Sequence, residues 1–208
     1  MNFFIIGANG RIGADLCANL LQQNHNIWAA ARHFEQLDGL KGLKKVELDL
    51  NDNAQTLAQK IGTPDVIYFV AGSRGNDLLN IDAYGAVKSM QAAELNHVKR
   101  FVMLSGYGSL DPDFWEQTSL KEYYTAKYFA DNWLISNTKL DYTILQPGSL
   151  TETPSTGKVS LNVSETGENS ISDVAAVLAA IPEHENTIKK VISMHAGSTP
   201  IGEALKEV

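Results

Sequence analysis

The chain holds 208 residues, 44% hydrophobic and 20% charged, enough for one domain with a proper core and too few for two sizeable ones. A formal charge of −7 and a pI near 5.2 exclude the basic surface that nucleic acid rewards. No apolar run approaches the ~18 residues that span a bilayer, the 5 histidines show no metal-ligand spacing, and the lone Cys17 rules out an internal disulfide. Cys17 falls on an apolar helix face, where a buried small hydrophobe is expected rather than a reactive thiol. Met1 leads almost directly into the first strand, so no cleavable leader and a cytoplasmic location are expected.

Phe3 to Ile6 is a wholly apolar run, as in a central parallel strand buried on both faces. Gly7, Gly10 and Gly13 follow at once, and Ile12, Leu16, Cys17, Leu20 and Leu21 then recur at helical spacing. Strand, glycine turn and helix set free N–H groups and the positive end of a helix dipole against a pyrophosphate, so the turn predicts dinucleotide binding. Ile27 to Ala31 reads as a second strand ending at Arg32 and His33, and Val46 to Leu50 as a third. Asp52 or Asn53 can cap the next helix, and Asp65 to Ala71 is the fourth strand. A helix over 82–97 precedes a fifth strand, Phe101 to Leu104, which ends at Ser105. A loop over 106–118 with Phe114 and Trp115, a helix over 119–136 and a sixth strand closed by Pro147 and Gly148 follow. Ser172 can cap a helix to Ala180, and Val191 to Met194 is the last strand. Strands alternating with helices make a doubly wound α/β domain with a parallel sheet. Residues 149–170 are rich in Ser, Thr and Gly. They read either as a surface loop with a short edge strand or, with Phe114 and Trp115, as a substrate cover at the carboxyl edge of the sheet.

Counting ~20 residues on from the last glycine reaches the end of strand two, where an acid would select NAD and an arginine suits the NADP phosphate. Arg32 stands there with His33, so NADP is expected; a merely solvated charge is the alternative. Asp49 could accept from the adenine amino group or cap the next helix. Ala71, Gly72 and Ser73 are small enough for backbone to pass close to a ribose. Tyr123 and Lys127 lie one helical turn apart on one face, and an ammonium within ~4–6 Å of a phenol favours its phenolate form. Ser105 ends strand five at the same sheet edge and could bond a substrate carbonyl. Tyr107 is a rival proton donor.

The chain resembles the short-chain dehydrogenase/reductase superfamily, in particular its compact atypical NAD(P)H-binding branch with biliverdin-IXβ/flavin reductase-like members. The resemblance rests on Gly7 to Gly13, Val98 to Ser105, Leu140 to Gly148 and Ile171 to Ala175. It implies a single Rossmann-type domain of about seven strands in the order 3-2-1-4-5-6-7. It also implies hydride transfer from NADPH, with Ser105, Tyr123 and Lys127 at the catalytic positions. The cofactor would contact Gly7, Asn9, Gly10, Arg11, Ile12, Gly13, Arg32, His33, Asp49, Leu50, Ala71, Gly72, Ser73, Lys127, Pro147 and Gly148. The branch does not use the tyrosine consistently, and the superfamily's helix asparagine has no match here. The expected activity is therefore an NADPH-dependent reductase acting on a small carbonyl, quinone or flavin-like acceptor, as a monomer or small homo-oligomer. A non-catalytic NADP-binding regulator and a sugar-nucleotide epimerase or dehydratase are the alternatives.

Overall fold

In β1 (Asn2–Ile6), Phe3 and Ile5 enter one hydrophobic cluster while Phe4 and Ile6 enter another, so the strand is packed on both faces. The computed structural model describes residues 1–208, apart from the side chain of Gln36. After β1 come α1 (Arg11–Gln22), β2 (Asn26–Ala31), β3 (Lys44–Glu47), α2 (Ala54–Ile61), β4 (Val66–Phe69), α3 (Tyr84–Leu95) and β5 (Arg100–Leu104). Then follow α4 (Pro112–Trp115), α5 (Lys121–Asn137), β6 (Asp141–Pro147), β7 (Ser149–Thr151), β8 (Lys158–Leu161) and β9 (Glu168–Ser170). The chain closes with α6 (Ile171–Ala180), β10 (Lys190–Ala196), β11 (Thr199–Pro200) and α7 (Ile201–Ala204).

The main sheet has 9 strands in the order β11-β8-β10-β6-β5-β4-β1-β2-β3. From β3 to β10 every pairing is parallel, which gives the seven expected strands in the expected order, with β10 in seventh place. β8 and β11 extend that edge antiparallel, and β7 pairs with β9 in a small sheet of its own. Helices α1 and α6 cover one face through Leu16, Leu20, Val174 and Leu178. Helices α2, α3 and α5 cover the other through Leu57, Met90 and Leu134. The chain runs outward from β1 to β2 and β3 and then crosses back through α2 to β4 on the other side of β1, so the sheet's switch point lies at the carboxyl end of β1. Cys17 is buried in the α1 layer and burial pushes its thiol up to about 12, which makes it inert.

Several elements differ from the sequence reading, each for a local reason. β3 stops at Glu47 because Asp49 Oδ1 accepts from the Asn51 amide at 2.9 Å and turns the chain early. Asn53, rather than Asp52, caps α2 by accepting from Thr56 N at 2.9 Å. A π-helical turn at Leu78–Ala83 precedes α3, so that helical stretch begins earlier than expected. The expected loop 106–118 contains α4, started by Asp111 as cap and Pro112 in the first turn. Ser170, not Ser172, holds the N-cap position of α6; Ser172 Oγ instead donates to Asp15 Oδ2 at 2.7 Å and pins α6 to α1. Among the described residues no helix is long and apolar enough to cross a membrane.

Candidate active site and cofactor cleft

The glycine turn after β1 is shaped by what cannot fit there. Gly7 has φ +90, and a Cβ on it would stand 2.5 Å from the Ala71 backbone, so the residue must be glycine on both counts. A Cβ on Gly13 would overlap the Gly7 carbonyl oxygen, which is how closely α1 approaches β1. Gly10 occupies the N-cap position of α1 and offers no side-chain cap, so the first-turn amides of Arg11, Ile12 and Gly13 have no side-chain acceptor from that position. Such a helix end suits a pyrophosphate, and the backbone around it is cleared of side-chain bulk.

Beside the turn, a cleft of about 300 Å³ opens at the switch point. Gly7, Asn9 and Gly10 form one wall, Arg32 and His33 stand at its β2 side, and Ala71, Gly72 and Ser73 form the β4 side. Leu48, Leu50 and Ile81 supply an apolar floor suited to an adenine ring. The hydroxyl of Ser73 is buried there without a hydrogen-bond partner, an open valence that a ribose hydroxyl can fill. These features fit an NAD(P) adenosine half. Asp49 is outside this lining, with its Oδ1 committed to Asn51. Two residues that the sequence reading missed complete the cleft. Asp82, buried in the π-helical turn, accepts from Ser73 N at 2.9 Å and fixes the β4 loop. Arg74 lines the cleft with φ +55, an unusual backbone state for a non-glycine residue. The Arg74-Gly75 pair, in the loop that leaves the buried strand β4, is the available signal. Glu35, the first acid after β2, reaches the turn and accepts from Asn9 Nδ2 at 3.4 Å.

On α5, Lys127 is 6% exposed, donates to the Leu104 carbonyl at 3.3 Å, and places Nζ 5.7 Å from the Tyr123 ring centroid. A Cβ on Gly106 would lie 3.5 Å from the Tyr123 hydroxyl, so that hydroxyl sits beside the end of β5. Tyr123, Lys127 and the β5 terminus therefore converge as the spacing predicts. Ser105 departs from expectation: it turns inward and donates to Asp131 Oδ2 at 2.7 Å. Ser109 Oγ reaches the same oxygen at 2.5 Å, and Gln146 Nε2 donates to Ser109 Oγ at 2.7 Å. Burial pushes the Asp131 carboxyl up to about 6, although the two serines, Lys127 and Gln146 all favour its charged form. Asp131 was legible in principle, as the next residue after Tyr123 and Lys127 at a spacing of four.

Phe114 meets Tyr107 and Tyr124 edge-on at 5.3 and 5.9 Å, and Tyr124 meets Tyr123 at 5.3 Å. This aromatic row, rather than Trp115, is the surface available beside Tyr123. Trp115 is buried, and its indole N–H donates to the Ser109 carbonyl at 3.1 Å, so its place is beneath the loop. Pro147 and Gly148 close β6; the Pro147 carbonyl accepts from Tyr107 N, and Gly148 packs directly on Gly167.

Residues 152–157 cross from β7 to β8 and are tied down at both ends. Glu152 pairs with Arg11 of the glycine turn at 3.5 Å, an exposed and therefore weak contact. Asp173 accepts from Ser155 Oγ, Thr156 N, Thr156 Oγ1 and Gly157 N. Burial pushes that carboxyl up, but the bonds from Ser155, Thr156 and Gly157 outweigh it and hold the carboxyl below its ordinary value. The anchor thus contributes fully above the ordinary carboxylate range and is lost as pH falls through the lowered value. In Asp173→Ala, amide hydrogens of residues 155–157 should exchange at least ~10-fold faster while β1 stays protected. Equal exchange in this segment would show that Asp173 is not its anchor.

A family model for NAD(P)H-binding proteins matches residues 7–185. A Bacillus subtilis protein named "uncharacterized sugar epimerase YhfK" is 37% identical, with 100% of both chains covered. The oxidoreductase ylbE of Lactococcus lactis superposes with a TM-score of 0.96 at 43% identity, covering 100% of this chain and 96% of its own. A candidate NAD-dependent epimerase/dehydratase of Bacillus halodurans superposes at 0.91 with 33% identity and 100% of both chains covered.

Proposed function

The chain belongs to the NAD(P)H-binding family, and from that premise we propose that it is an NADPH-dependent reductase of the compact atypical short-chain dehydrogenase/reductase type, acting on a small carbonyl, quinone or flavin-like acceptor. One observation carries the reading: the glycine-turn cleft, with Arg32, His33 and Arg74 on its lining, and the Tyr123–Lys127 pair at the end of β5 both lie at the carboxyl edge of the sheet, on the neighbouring strands β4 and β5. The residues that would hold the cofactor are the first-turn amides of α1, the backbone from Ala71 to Ser73 in the loop after β4, and Arg32 with His33 at the ribose. When bound, the nicotinamide supplies the hydride. Tyr123 supplies the proton to the oxygen that gains charge, and Lys127 holds the ribose and stabilises the phenolate left behind. Residues 149–170, with the aromatic row of Phe114, Tyr107 and Tyr124, cover the acceptor and limit water access.

The names of two relatives favour a second reading, epimerisation of a sugar nucleotide. Against it, most of the chain after Gly148 is used to complete the fold: α6 covers the sheet while β10, β8 and β11 extend it. Absorbance at the reduced nicotinamide band separates the readings. NADPH should be consumed in the presence of 9,10-phenanthrenequinone, menadione or free flavin. Interconversion of UDP-glucose and UDP-galactose without net NADPH consumption would overturn the reductase reading.

A further inference from the structure

Ser105 lies at the position from which a hydroxyl would donate to a substrate carbonyl, yet its only proton is already used. A serine hydroxyl has one hydrogen and two lone pairs. The direction of the network around it is set from one end. Gln146 Nε2 lies 2.7 Å from Ser109 Oγ and 3.4 Å from Asp131 Oδ2, and an amide nitrogen only donates. Ser109 therefore accepts from Gln146 and gives its own hydrogen to Asp131 Oδ2 at 2.5 Å. Ser105 Oγ, 2.7 Å from that same oxygen and 3.2 Å from Ser109 Oγ, makes its shorter bond to the carboxylate. A carboxylate cannot donate, so the Ser105 proton points at Asp131 and its lone pairs are left for whatever approaches from the cofactor side. Asp131 itself is fully buried. The groups facing it are the two serines, Gln146 from β6 and, on its own helix, the ammonium of Lys127.

We propose that Asp131 is a positioning residue that fixes Ser105 as a hydrogen-bond acceptor, so that the site prefers substrates carrying an O–H or N–H donor beside the reacting carbon. Tyr123 is then left as the hydroxyl that donates to the reacting oxygen. The inference rests on the reductase reading above and deepens it by naming the substrate's second group.

Two measurements test it. In protein labelled with carbon-13 at the aspartate carboxyl, Ser105→Ala should move the Asp131 titration upward, because the charged form loses a donor. An unmoved titration means that Ser105 does not give its proton to Asp131, and the proposal falls. The second compares NADPH-dependent reduction of hydroxyacetone and methoxyacetone, which differ in the donor. Wild-type protein should favour hydroxyacetone about tenfold in kcat/KM. Ser105→Ala should erase that preference. Asp131→Asn, whose amide oxygen still accepts from both serines, should keep it, whereas Asp131→Ala should lose it. A preference untouched by Ser105→Ala, or none in the wild type, overturns the proposal. Failure of the wild type to reduce either ketone or any quinone sinks the reductase reading instead, and the carboxyl titration still decides the Ser105–Asp131 assignment.

Discussion

Tyr123→Phe is expected to lower turnover of a carbonyl acceptor by about 10²–10⁴-fold while leaving Kd for NADPH nearly unchanged. The substitution removes one oxygen and keeps the ring, so the edge-on contact with Tyr124 at 5.3 Å survives. What disappears is the hydroxyl beside Gly106, on the ring whose centroid lies 5.7 Å from Lys127 Nζ. A carbonyl that has received hydride becomes an alkoxide-like oxygen and needs a proton at that moment, so the loss falls on kcat rather than on cofactor affinity. Full turnover in Tyr123→Phe would remove Tyr123 as the acid and leave Tyr107 or solvent. A flavin acceptor would show a smaller effect than a ketone, since water can protonate a reduced flavin.

Arg32→Ala should weaken NADPH binding by about 10–150-fold and leave NADH binding almost as it was. The ribose 2′-phosphate is a dianion at neutral pH, and a guanidinium can grip it through two charge-assisted bonds. Arg32 stands on the lining of the cleft at the end of β2, with Arg74 on the lining after β4. Arg74→Ala should therefore weaken NADPH binding less than Arg32→Ala, and the double variant should show whether the two act on one phosphate. Arg32→Asp should tilt the preference towards NADH, and the wild-type preference should shrink as salt rises. Calorimetric titration of both cofactors settles the matter. Equal wild-type affinities, or equal losses for both cofactors in Arg32→Ala, would defeat the assignment.

The parts of this protein that sequence discloses are those encoded over short distances. Phe3 to Ile6, the glycines at 7, 10 and 13, and the four-residue step from Tyr123 to Lys127 each state their geometry within one strand, turn or helical turn. The missed residues act across the fold. Asp131 reads as an ordinary helix charge until Ser105, Ser109 and Gln146 are brought to it from β5, the following loop and β6. Asp173 reads as a first-turn acid of α6, and only the return of residues 155–157 shows what it holds. Trp115 was misplaced for the reverse reason. Its neighbours in sequence suggest an exposed aromatic pair, but the indole N–H finds the Ser109 carbonyl and draws the ring inside. The resemblance places Ser105 at a catalytic position but leaves its proton's direction undetermined, because that depends on partners far along the chain.

Asp131 also places a cost on the fold as a whole. Burial pushes its carboxyl up from 3.8 to about 6 in the folded protein, so between those values the folded chain binds more protons than the unfolded one. Stability is therefore highest on the acid side of this window and declines as pH rises through it. The decline is on the order of 3 kcal/mol, about the size of a core methylene deletion or two. Asp131→Asn cannot titrate, so its melting temperature should gain on the wild type between pH 4 and 7, and parallel profiles would contradict the linkage. At neutral pH the protein keeps a buried anion at the heart of its proposed active site, and the surrounding hydrophobic layers must be strong enough to tolerate it.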